Sequence, residues 1–114
     1  MFAIQEVGVL HDFFSPMDIA IINNHDGPNE WFQINIGDRN YLNFSTIFYK
    51  KRMVNDANND HNVTIRILDE ENTVVLNETT IKPGRDLSLR FLKYNKNYIV
   101  QVKCKNGRYH LNFV

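Results

Sequence analysis

Asp56, Asn58, Asp60, Asn62 and Thr64 place an oxygen-bearing side chain at every second position. That spacing resembles the ligand run of a calcium loop, because calcium accepts cages of about six to eight oxygens. An EF-hand also needs glycine at its sixth position and glutamate at its twelfth. His61 and Ile67 stand there, so an EF-hand is excluded. What remains is either a looser calcium cage built from Asp56, Asp60 and Asp69 or a solvated polar loop.

The other reactive side chains are scattered. His11, His25, His61 and His110 form no closely spaced zinc pair, and Cys104 stands alone. A single cysteine allows no internal disulfide. Cys104 also falls in an apolar row, where a thiol acts as a small hydrophobe more often than as a nucleophile. Ser15, Ser45 and Ser88 are the serines, and none sits in a Gly-x-Ser-x-Gly elbow. There is no glycine-rich phosphate loop. The expectation is a protein that is not an enzyme and carries no cofactor beyond the calcium alternative.

Residues suited to binding are easier to find. Arg90 and Lys103 belong to the densest basic cluster, which also holds Lys82, Arg85, Lys93, Lys96, Lys105 and Arg108. Both alternate away from apolar rows and should face outward. With Tyr94 nearby, they would suit a polyanion patch or a solvated sheet face. The chain's formal charge is zero and Asp86 interrupts the cluster, which argues against nucleic acid as a partner. Trp31, the only tryptophan, ends the polar run His25 to Glu30. It is either a core anchor or an exposed platform for sugar or peptide. Tyr41 and Tyr49 are further candidates for docking. Asn43, Asn62 and Asn77 begin nominal glycosylation triplets, as chance provides in a chain with sixteen asparagines.

The elements that must position these residues are strands. Alternation with period two dominates the chain. Phe32, Ile34 and Ile36 form one apolar row; Leu42, Phe44, Thr46 and Phe48 form a second. Val63, Ile65 and Ile67 form a third, and Val74 with Leu76 a short fourth. Leu87, Leu89 and Phe91 follow, then Tyr98, Val100, Val102 and Cys104, then Tyr109, Leu111 and Phe113. Gly37 to Asn40, Asp69 to Asn72, Pro83-Gly84 and Asn95 to Asn97 supply turns between rows. Asn106-Gly107 predicts a tight hairpin that pairs Cys104 with Tyr109, Val102 with Leu111 and Val100 with Phe113. Ser15-Pro16 with Asp18 reads as a helix start, yet the β-branched run to Ile22 reads equally well as an edge strand. Lys50 to His61 reads as a long loop over one end of the fold.

Seven to eight short strands without helical interludes predict an all-β, antiparallel two-sheet sandwich, jelly-roll-like, as one domain over residues 1–114 with 1–24 the least defined part. Apolar content of 43% and charged content of 23% suit a chain that buries a core without metals or disulfides. Charge is uneven: residues 1–45 carry six acids and one base, the remainder twelve bases and seven acids. Met1 to Leu10 has no basic run and no long apolar stretch, so no signal peptide is expected there. No segment approaches the ~18 apolar residues of a membrane helix.

From Ile22 onward the pattern resembles the bacterial pre-peptidase C-terminal domain, which includes the collagen-binding domains of clostridial collagenases. Glu30-Trp31-Phe32 with Ile34 resembles that family's acid-aromatic-aromatic entry into a strand. Asn62 to Val75 resembles its central strand, Asp-containing turn and strand. Tyr98 to Val102, then Asn106-Gly107-Arg108-Tyr109-His110-Leu111, resembles its closing hairpin. The acidic N-terminal linker that binds calcium in the family is matched only by Asp18 and Ala20, and its Gly-Thr-Tyr is replaced by Lys96-Asn97-Tyr98. The resemblance implies a non-catalytic accessory role and an extracellular setting, with no particular ligand.

The expected function is therefore a binding or accessory module that recognises a protein or polysaccharide surface. The alternative is a structural subunit that forms oligomers or docks on a larger complex through exposed sheet edges and Trp31, Tyr41 and Tyr49.

Overall fold

The computed structural model describes residues 15–114. Its strands are β1 (Asp18–Asn24), β2 (Phe32–Gln33), β3 (Arg52–Asn55), β4 (Val63–Leu68), β5 (Val74–Ile81), β6 (Asp86–Ser88), β7 (Ile99–Lys103) and β8 (Gly107–Phe113). No described residue is helical. The strands make two antiparallel four-stranded sheets, β1-β8-β3-β6 and β2-β7-β4-β5. Every connection except β4 to β5 crosses from one sheet to the other. That is the wrapping order of a jelly roll.

Alternation explains the core. β4 and β7 send Val63, Ile65, Ile67, Val100 and Val102 inward, and β1 and β8 send Ala20, Ile22, Tyr109, Leu111 and Phe113 to meet them. Leu42, Phe44, Met53, Leu89 and Leu92 fill the space between. Each of the buried Val, Ile, Leu, Met and Phe side chains contributes about 1.5–3 kcal/mol by leaving water.

The expected Asn106-Gly107 hairpin does not form. β7 and β8 lie in different sheets, and β8 pairs with β1 and β3. Val102 and Leu111 are both fully buried, but they face the core from opposite sheets. Alternation states which side chains point inward; it does not state which strand pairs with which. The turn chemistry also differs from the expectation. Only Gly107 of the pair has positive φ (145°), whereas a type I′ turn needs it at both positions. The Asn106 carboxamide instead accepts the Gly27 N–H (2.7 Å), and Asn24 Nδ2 donates to the Cys104 carbonyl (2.6 Å). These bonds tie the crossover to the loop after β1.

Two apolar rows are interrupted. Leu42 and Phe44 are buried, but their segment makes only one isolated bridge, Leu42 to Tyr98. The chain then turns at Thr46, whose carbonyl accepts the Tyr49 N–H (3.3 Å). The turn leaves Ile47 and Phe48 outside and brings Tyr49 in, its ring 5.1 Å from that of Phe44. Likewise Leu92 N–H bonds to the Leu89 carbonyl (3.0 Å), so Phe91 points out and Leu92 replaces it.

The segment from Ser15 is not a helix start, since Asp18–Asn24 is a sheet-edge strand along β8. Lys50 to His61 is not all loop, since it contains β3. β3 was hard to see because its second inward residue is Asn55. This buried side chain donates to the Ile81 carbonyl (2.9 Å) instead of packing as an apolar one. His11 and the Met1 to Leu10 stretch lie outside the described residues.

Candidate functional site

The outer face of the β2-β7-β4-β5 sheet collects most of the free polar chemistry. Inward positions of these strands are taken by Phe32, Val102, Ile65 and their neighbours, so Gln33, Gln101, Lys103, Thr64 and Arg66 must face out. The register sets their rows. Gln33 pairs with Gln101, which pairs with Arg66; Lys103 pairs with Thr64, which pairs with Thr80. Trp31 directly precedes β2 and extends the second row beside Lys103.

Trp31 is half-buried, and two cations lie over its ring. The Arg66 guanidinium carbon lies 4.3 Å from the ring centroid and Lys103 Nζ lies 4.7 Å from it. Both are within cation–π range. Arg66 Nε donates to Gln101 Oε1 (2.6 Å), which fixes the guanidinium plane. Lys103 reaches Glu78 at 3.4 Å, a solvent-exposed ion pair of small energetic weight. Arg66 makes no ion pair among the described residues.

One step along the same face, an open groove of about 280 Å³ is lined by Gln33, Asn40, Tyr41, Glu70, Asn97, Tyr98 and Ile99. Gln33 belongs to both the groove and the row that holds Arg66. Its Nε2 donates to the Asn40 carbonyl (2.9 Å). Asn97 Oδ1 accepts from Asn43 Nδ2 (2.7 Å), and its own Nδ2 has no protein partner among the described residues. The Tyr41 hydroxyl and the Glu70 carboxylate have no side-chain partner among the described residues. The half-buried Tyr41 ring lies 5.8 Å from the Arg39 guanidinium.

The sequence-derived candidates thus separate. Trp31, Tyr41 and Lys103 share this face. Arg90 is exposed but belongs to the turn after β6, in the other sheet, so it forms no patch with Lys103. Tyr49 is buried (8% exposed), and its hydroxyl donates to Asp18 Oδ2 (2.7 Å). Burial, followed by that bond, raises its pKa to about 12. It is a core residue and not a docking aromatic. Tyr94 packs its ring 3.7 Å from Lys51 Nζ and donates to the Tyr49 carbonyl (3.2 Å). Its work is to hold the segment after β6 against Lys51.

The three-carboxylate calcium cage is not assembled. Asp56 and Asp60 precede β4, while Asp69 follows it, at the other end of a six-residue strand about 20 Å long. Asp56 Oδ1 already accepts the Asn58 N–H (2.8 Å), and Asp69 Oδ1 accepts those of Glu71 and Thr73 (2.9 and 3.0 Å). No three His, Cys, Asp or Glu side chains converge among the described residues. Cys104 is buried, and burial pushes its thiol pKa up, which disfavours the nucleophilic thiolate. No described helix is long and apolar enough to cross a membrane.

Sequence reasoning did not single out Arg66, Gln101, Gln33, Asn40, Glu70 or Asn97. The outward position of Arg66 between Ile65 and Ile67 was readable. Its neighbours required the sheet order, which carries β7 between β2 and β4. No protein-family model, no curated protein and no solved structure matches the chain.

Proposed function

We propose that the domain is a non-catalytic binding module that takes a polysaccharide chain across the outer face of the β2-β7-β4-β5 sheet. The observation that carries this reading is the groove in which Tyr41 stands among Gln33, Asn40, Glu70 and Asn97, with Gln33 two residues along the chain from Trp31. Sugars present flat apolar C–H faces and a rim of hydroxyls. An aromatic ring receives the first, and carboxamides and a carboxylate receive the second. Glycoside cleavage uses two carboxyl groups flanking the bond, and the groove lining has one, Glu70, with no histidine. The resemblance to an accessory-domain family supports the same reading.

Affinity gel electrophoresis against a panel of soluble polysaccharides tests it. Retardation by at least one polymer is expected, weakened about tenfold by Tyr41→Ala, with no release of reducing ends. Unchanged migration on every polymer removes the reading.

A second reading, assembly with another copy of the chain, rests on β1. Its outward residues Ile19 (41% exposed) and Ile21 (52%), with Met17 (55%) just before them, form an apolar stripe. Phe48 extends it beside Met17. Light scattering of the wild type and of Ile21→Lys separates the two: a dimer abolished by the substitution favours assembly.

A further inference from the structure

We infer that the ligand of this face carries acid groups: Arg66 and Lys103, both set against the Trp31 ring, receive a carboxylate or sulfate of the polysaccharide. The inference rests on the polysaccharide reading above and specifies its substrate class.

Three observations support it. First, Arg66 is a half-buried guanidinium without an acid partner among the described residues. Its Nε is held by Gln101 and its plane by Trp31, so its remaining N–H donors are pre-oriented. A planar fork of donors fixed in advance matches a carboxylate or sulfate in two-point geometry. Second, the Lys103 ammonium lies against the same ring, and its tie to Glu78 is long and solvent-exposed. An incoming anion can exchange with such a pair at little cost. Third, the Trp31 end and the groove are continuous, so one chain can present its acid group to Arg66 and Lys103 and a neighbouring ring to Tyr41. Cations also flank the groove itself: the Arg39 guanidinium lies 5.8 Å from the Tyr41 ring and Lys96 Nζ 5.7 Å from the Tyr98 ring. The Arg66–Gln101–Gln33 row joins the two ends without interruption.

The test compares four polymers on the full chain: polygalacturonate (carboxylated), dextran sulfate (sulfated), dextran (neutral) and poly-glutamate (carboxylated, without sugar rings). Affinity for polygalacturonate or dextran sulfate should exceed that for dextran at least about tenfold. It should fall steeply between ~50 and ~200 mM salt. Arg66→Gln with Lys103→Gln should remove both the preference and the salt dependence. Arg66→Lys keeps the charge and should retain part of the affinity, which separates loss of charge from loss of fold. The two acidic sugars together decide whether carboxylate or sulfate is the preferred group. Equal binding of dextran and the acidic polymers, untouched by the double substitution, overturns the inference and leaves the polysaccharide reading standing. Poly-glutamate bound as tightly as polygalacturonate, with Tyr41→Ala silent, overturns the saccharide reading instead. Binding to none of the four overturns the inference, and the polysaccharide panel above then decides the saccharide reading.

Discussion

Asn59 pairs its side-chain amide with the backbone of His110 in both directions: Nδ2 donates to the His110 carbonyl (2.8 Å) and Oδ1 accepts the His110 N–H (2.9 Å). β3 ends its ladder with β8 at Asn55 opposite Leu111, yet the Asp56 N–H still reaches the His110 carbonyl (3.2 Å). Asn59 completes that rung by accepting the His110 N–H. The same Nδ2 also donates to Asn55 Oδ1 (2.5 Å), and Asn55 in turn holds the Ile81 carbonyl. Asn59→Ala would leave the His110 N–H and Asn55 Oδ1 without partners. Buried groups stranded in this way cost about 1–3 kcal/mol each. A loss of about 2–4 kcal/mol is expected in urea unfolding, and Asn59→Asp should be no better, since a carboxylate cannot donate to Asn55 or to the carbonyl.

The placement of β8 between β1 and β3 has a direct spectroscopic signature. The Ile19 carbonyl points away from β8, to the Gly37 N–H (2.8 Å). Ile21, two residues on, is then the close, non-hydrogen-bonded partner of His110. A strong Hα–Hα cross-peak between Ile21 and His110 is expected by NMR, and none between Cys104 and Tyr109. The reverse pattern would restore the Asn106-Gly107 hairpin.

Lys51 is a buried lysine without a carboxylate partner among the described residues. It has positive φ (59°), donates its ammonium to the Leu92 carbonyl and sits over the Tyr94 ring. Lys51→Met keeps much of the apolar stem but removes the donor and the charge. It should cost about 1–3 kcal/mol, and Tyr94→Leu should recover little further loss when added to it. A double-mutant cycle measures that coupling.

Alkaline pH should weaken the fold in a defined window. Burial first, with Asp18 adding to it, pushes Tyr49 up to about 12; burial first, with Cys104 adding, does the same for Tyr109. A pKa raised by folding means that the neutral hydroxyl is the form the fold prefers. Its contribution is complete below the ordinary tyrosine value of 10.0 and is lost as pH climbs through about 12. Urea midpoints should be flat below that window and fall within it, and Tyr49→Phe should flatten part of the fall.

The legible and illegible parts of this fold divide along one physical line. Val63, Ile65, Ile67, Val100, Val102, Leu111 and Phe113 were all readable as inward residues, because burial writes a period of two into the sequence. Their partners were not readable, because Val102 and Leu111 satisfy the same pattern as sheet neighbours or as facing residues of opposite sheets. β3 was missed because Asn55 places an amide where the pattern expects an apolar side chain. At the candidate site the pattern gave Lys103 its outward direction and left Trp31 open between core anchor and exposed platform. The Arg66 contact came only with β7 in the middle of its sheet, and burial of Tyr49 came only with the turn at Thr46.

The jelly-roll order also governs how quickly the chain can find its shape. β4 and β5 are the one pair that is adjacent both along the chain and within a sheet, so only they can close early. All other pairings between these strands wait on encounters between distant segments, the extreme being Asp18 with Phe113. Such topologies are slow, in the range of about milliseconds to seconds. During that delay the apolar strands stand unpaired. Synthesis at high temperature or high concentration should therefore favour aggregates over native protein even where the finished fold is stable.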